Sequence, residues 1–68
     1  MHRFFLTPEL IQNKMVTFPP EIARQVIKVL RLEAGRQVQV LDGLGQEYLV
    51  ELTDVRPDLV AGRILETC

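Results

Sequence analysis

Hydrophobic and polar positions change period partway along this 68-residue chain, and the change separates a helix from the strands that follow it. Apolar Ile22, Val26, Val29 and Leu30 recur at the i, i+4, i+7 and i+8 spacing that lines one face of a helix. Arg24, Lys28 and Arg31 recur at i, i+4 and i+7 on the opposite side, which predicts a row of cationic heads. Pro20 suits the first helical position, where a missing N–H costs nothing, and Glu21 complements the positive end of the helix dipole. The helix is expected to end between Leu30 and Leu32. Gly35 then supplies the positive φ that turns the chain into its next element.

Beyond Gly35 the period becomes two. Val38 and Val40 alternate with Gln37 and Gln39, and Tyr48, Val50 and Leu52 alternate with Glu47, Glu51 and Thr53, the pattern of two strands with one buried face each. Asp42-Gly43-Leu44-Gly45 joins them: an aspartate that bonds its own backbone and two glycines that tolerate left-handed conformations predict a tight hairpin. Arg3 to Leu6 reads as an opening strand ended by Thr7-Pro8, Glu9 to Lys14 as a turn or loop, and Met15 to Phe18 as a second short strand closed by Pro19-Pro20. Asp54 to Asp58, with Pro57 inside it, predicts another turn. Leu59 to Glu66 reads as the last strand, with Val60 and Ile64 on one face, Arg63 on the other and Gly62 where a bulge fits. The expectation is a mainly β domain spanning residues 1–68, a small, mostly antiparallel barrel of about five strands with one short helix plugging an end or covering an edge.

Composition narrows what such a barrel can be. Hydrophobic residues make up 47% and charged residues 25%, as in globular and not disordered chains. A chain this short buries only about 60% of the surface it exposes when unfolded, which leaves no room for a catalytic domain with its own cofactor cleft. Eight Lys and Arg against nine Asp and Glu give a net charge of −1 and a pI of about 5.7. Nucleic-acid binding would therefore rest on a local patch or on a partner domain, since free-standing binders are usually basic overall. The one cysteine, Cys68, has no intramolecular partner, Phe4-Phe5-Leu6 is too short for a signal-peptide core, and no apolar run nears the roughly 20 residues of a membrane span. Cytoplasm is the expected compartment, with no membrane partner.

Four residues are candidates for binding: Arg3, Arg24, Lys28 and Arg31, because guanidinium and ammonium groups supply the charge and donors that an RNA backbone attracts; the alternative for Arg24, Lys28 and Arg31 is a solvated helix face. Arg3 stands beside Phe4 and Phe5, and an aromatic next to a cation can stack on an unpaired base. At least one of the two phenylalanines is expected to be core, with Arg3 the exposed member. Tyr48 is expected to pack, with its hydroxyl at the rim. His2 has no cysteine or second histidine at ligand spacing, so no metal site is expected. Asp42, Glu47 and Glu51 are explained by turn chemistry and an exposed strand face; no nucleophile accompanies them, and no catalytic residue is assigned.

Three segments in order, Met1-His2-Arg3-Phe4-Phe5, then Lys28-Val29-Leu30-Arg31-Leu32 with Gly35 after it, then Val40-Leu41-Asp42-Gly43-Leu44-Gly45 leading to Glu47-Tyr48, resemble the N-terminal domain of the ribosomal RNA small-subunit methyltransferase E (RsmE) family. That family methylates N3 of a uridine in 16S rRNA with S-adenosylmethionine. The resemblance implies a PUA-like barrel that helps hold 16S rRNA or the small ribosomal subunit. It also implies a separate, larger C-terminal SPOUT domain that binds S-adenosylmethionine, performs the transfer and forms most of a homodimer. On that expectation this chain holds no cofactor and does not methylate alone. The chain departs from the family pattern at Arg24-Gln25, where members often carry a histidine, and at Arg36, where an acidic residue often stands. The rival expectation is a protein-interaction barrel that docks on a partner domain without contacting RNA.

Overall fold

A computed structural model describes residues 2–67; Met1 of the opening motif and Cys68 lie outside the described residues. The chain forms β1 (Arg3–Phe5), a 3-10 turn (Pro8–Leu10), β2 (Ile11–Gln12), β3 (Met15–Thr17), α1 (Pro20–Arg24) continuing into a π-helical turn (Gln25–Val29), β4 (Gln37–Leu41), β5 (Glu47–Arg56) and β6 (Leu59–Thr67). The strands make one six-stranded, curled half-barrel sheet in the order β1-β4-β5-β6-β3-β2. The fold class is as the sequence predicts, a small β-barrel-like domain with one short helix.

The period-two segments behave as expected. Val38, Val40 and Val50 are fully buried and Leu52 nearly so, facing a core that includes Phe4, Leu6, Val16, Phe18, Val26, Leu32 and Val60. Phe4 meets Phe18 edge to face, with ring centroids 5.8 Å apart. The β4–β5 connection is held by Asp42, whose Oδ1 accepts the Leu44 N–H at 2.8 Å and the Gln46 N–H at 3.3 Å, while Gly43 and Gly45 take positive φ.

The structure adds to the sequence reading or departs from it at four places. Residues expected as a loop before Met15 contain β2, paired antiparallel with β3 through a two-residue Asn13-Lys14 turn. Both turn residues have positive φ (52° and 63°), as a type I′ hairpin requires, but the usual glycine signal is missing. Second, β1 pairs with β4 in parallel (Phe4 opposite Val40), which the long intervening crossover of β2, β3 and helix permits. Third, β5 runs on to Arg56, and only Pro57-Asp58 turns the chain into β6; a bulge at Thr53, between the Leu52–Gly62 and Asp54–Ala61 pairs, bends the long hairpin and lets both strands continue. Fourth, Val29 is 69% exposed although its spacing places it on the buried face. The last turn bonds i to i+5, with Leu30 N–H on Gln25 C=O at 2.8 Å, so the helix widens and the apolar stripe shifts to Ala23 and Val26, supported by half-buried Ile22, Ile27 and Leu30.

Candidate nucleic-acid interface

The helix starts where the sequence says it should, with Pro20 in its first turn and Glu21 behind it. One face then packs on the barrel, because Ala23 and Val26 are buried, and the flank carries Arg24 and Lys28 outward. Between this flank and the β5–β6 turn lies an open groove of about 590 Å³. Ile27, Pro20, Pro57 and Leu59 form apolar lining, and Thr17 and Asp58 supply polar groups. The Phe18 N–H donates to Val60 C=O at 2.9 Å, so the segment entering the helix is tied to the strand on the far side of the groove.

Arg24 and Lys28 both line this groove and both are exposed. Among the described residues, the ion pairs are Arg56–Asp54 at 3.6 Å and Arg63–Glu51 at 3.2 Å; neither groove cation is in one. Their charge is therefore not neutralised by a carboxylate contact, and an incoming anion would not have to displace one.

The other two predicted cations stand apart from the groove. Arg31 lies just past the helix, so the expected three-residue row is not continuous. It takes φ 52°, the left-handed position that ends many helices and is usually glycine, and the chain closes over it through the Leu32 N–H on Val26 C=O at 3.0 Å. An arginine there carries roughly 1–2 kcal/mol of local strain that glycine would avoid. Arg3 projects from the outer side of β1, the buried Phe4 following it, and its Nε donates to Gln39 Oε1 at 2.9 Å. Phe5 shares that outer side and is 73% exposed.

Of the groove lining, the sequence reading assigned only Arg24 and Lys28 to the site, and the far wall escaped it. Pro57 and Asp58 looked like turn residues alone, and nothing local says that their turn faces the helix; the bulge at Thr53 and the pairing of β6 with β3 bring it there. Tyr48 packs half-buried as expected, and its hydroxyl donates to Asp42 Oδ2 at 3.4 Å. Partial burial, then the Asp42 charge and this hydrogen bond, push the phenol above its ordinary value of 10.0. That pairing supports the hairpin and lies outside the groove.

The fold is a small β-barrel-like domain with one short helix, and two cations that make no ion pair among the described residues line one groove. The family model of the RNA methyltransferase PUA domain matches residues 26–65, more than half of the chain, and the chain belongs to that family. No curated protein matches it. Among solved structures it is similar to a ribosomal RNA small subunit methyltransferase E from Neisseria gonorrhoeae bound to S-adenosyl methionine, at 28% identity and a TM-score of 0.84, over all of this chain and 28% of that one. A predicted RNA methyltransferase from Thermotoga maritima is similar at 28% identity and a TM-score of 0.84, over all of this chain and 30% of that one. A methyltransferase candidate from Legionella pneumophila in complex with S-adenosylmethionine shares 26% identity at a TM-score of 0.85, over 97% of this chain and 27% of that one. The chain thus spans less than a third of the length of these relatives.

Proposed function

We propose that this domain is an RNA-binding accessory unit, which holds 16S rRNA so that a separate catalytic domain can methylate N3 of a uridine with S-adenosylmethionine. The observation that carries the reading is the pair of unneutralised cations on one groove, in a chain of the RNA methyltransferase PUA family. The contribution available to such a unit is positioning: contacts made away from the reacting base lower the entropic cost of orienting it. Arg24 and Lys28 supply two phosphate contacts, and Arg3 and Arg31 add one each from outside the groove. The bound cofactor is seen in relatives more than three times as long as this chain, which leaves room for it outside this domain. It would be held by a SPOUT domain elsewhere in a longer cytoplasmic, homodimeric parent, and this chain alone would not be catalytic.

A salt titration of binding to a 16S rRNA fragment tests the reading. With roughly four phosphate contacts the log–log slope is about −2.8, so affinity falls some 50-fold between about 50 and 200 mM salt. In an Arg24→Gln/Lys28→Gln variant the slope drops to about −1.4 and the loss to about sevenfold. Equal slopes in the two folded proteins would refute the assignment. The exposed Phe5 favours a second reading, a barrel that docks on a partner domain; under it neither protein binds the RNA at low salt, and Phe5→Ser weakens the domain contact instead.

A further inference from the structure

We propose that the groove between the helix and the β5–β6 turn takes a single unpaired nucleotide of an RNA strand, its base on the apolar lining and its phosphate between Arg24 and Lys28. This rests on the RNA reading above and adds to it a preference for single-stranded RNA.

Phosphate contacts alone need only exposed cations. Here the two cations stand beside an apolar surface of Ile27, Pro57 and Leu59, within a cleft whose 590 Å³ lies in the range of roughly 300–1,000 Å³ typical of small-molecule sites. A duplex leaves such a lining unused, because its base faces are stacked inside and its phosphates ride on a convex surface. An unpaired base has two free faces and can be splayed onto an apolar wall. The charges also orient the nucleotide. Arg24 and Lys28 come from the helix and Asp58 from the opposite turn, so the phosphate belongs on the helix side and is repelled from the turn side. Asp58 is then left to accept a hydrogen bond from an N–H on the base edge, a donor that the ionised phosphate lacks. An acidic peptide fits the cations equally but gains nothing from Asp58, which would repel it.

The test uses the full 68-residue chain with labelled methyl groups, titrated with a short oligouridylate, with an RNA duplex of matched phosphate number, and with a polyglutamate peptide. Oligouridylate is chosen because it neither pairs nor stacks strongly with itself. The expected result is an affinity for the single strand about tenfold above that for the duplex, with shifts at the Ile27 and Leu59 methyls that the duplex does not produce. Ile27→Ser should lower single-strand affinity by about tenfold and leave duplex affinity unchanged. If that variant does not fold, the strand preference and methyl shifts of the unaltered chain decide the matter. Equal affinity for strand and duplex, with the Ile27 and Leu59 methyls unmoved, overturns the nucleotide groove and leaves the RNA reading standing. Binding of polyglutamate with no binding of either RNA overturns both.

Discussion

Gly62→Ala tests how the groove's far wall is built. A Cβ at Gly62 would run into the Val50 Cγ1 methyl and stand 2.9 Å from the Glu51 carbonyl oxygen and 3.4 Å from its carbon. Val50 is fully buried and β-branched, so it has few rotamers to retreat into, and the carbonyl belongs to the β5 ladder and cannot move alone. Overpacking of this kind costs about 1–3 kcal/mol. With two contacts closer than real Cβ atoms make, the cost lies in the upper part of that range, about 2–3 kcal/mol; replacing a strand glycine by alanine returns about 0.5–1 kcal/mol of chain entropy, so a net loss of about 1–2.5 kcal/mol remains. For a domain whose total stability is roughly 3–10 kcal/mol, that is a large fraction. It should lower Tm by about 4–20 °C, read by circular dichroism melting. A second variant carrying Val50→Ala with Gly62→Ala should lose less than the sum of the two single changes, because the clashing methyl is gone. A Gly62→Ala melt at or above that of the parent chain would refute the close-approach argument. So would strict additivity in the pair.

Three further outcomes are expected. Phe4→Ala, which removes a buried ring stacked edge to face on Phe18, should cost about 3–5 kcal/mol, whereas Phe5→Ser, at 73% exposure, should stay within about 0.5 kcal/mol; chemical denaturation separates the two. Arg31→Gly relieves the left-handed strain and should leave the fold as stable or up to about 1 kcal/mol more so, while lowering the salt slope of RNA binding by about 0.7; a less stable variant with unchanged slope would show that the arginine is there for structure. The Tyr48 phenol should titrate above 10.0 in the folded chain, and Asp42→Asn should move it back down, followed by near-ultraviolet absorbance. Because the folded value is raised, the stability linked to it is fully present below the unfolded phenol value and is lost as pH rises through the folded one. The domain should therefore weaken on the alkaline side of Tyr48's titration, and Tyr48→Phe should remove that dependence.

Much of this domain is legible in the chain because it depends on near neighbours. The period-two runs at Val38–Val40 and Tyr48–Leu52 can bury only one face, Asp42 bonds the two amides that follow it in its own loop, and Pro20 with Glu21 begins a helix wherever that helix packs. The spacing of Arg24 and Lys28 likewise puts them on one flank before anything is known of the barrel. What the chain could not declare depends on partners far along it. The parallel seat of β1 beside β4, the short β2 hairpin without its glycine, and the widened last helical turn that exposes Val29 follow from how the sheet closes, not from any local period. The groove belongs with these. Arg24 and Lys28 become one site with Pro57, Asp58 and Leu59 only because the Thr53 bulge and the glycine at position 62 let β5 and β6 pass closely and bring their turn against the helix, while the left-handed end at Arg31 takes that arginine off the row. Periodicity decides which face each element buries; the closure of the sheet decides which faces meet.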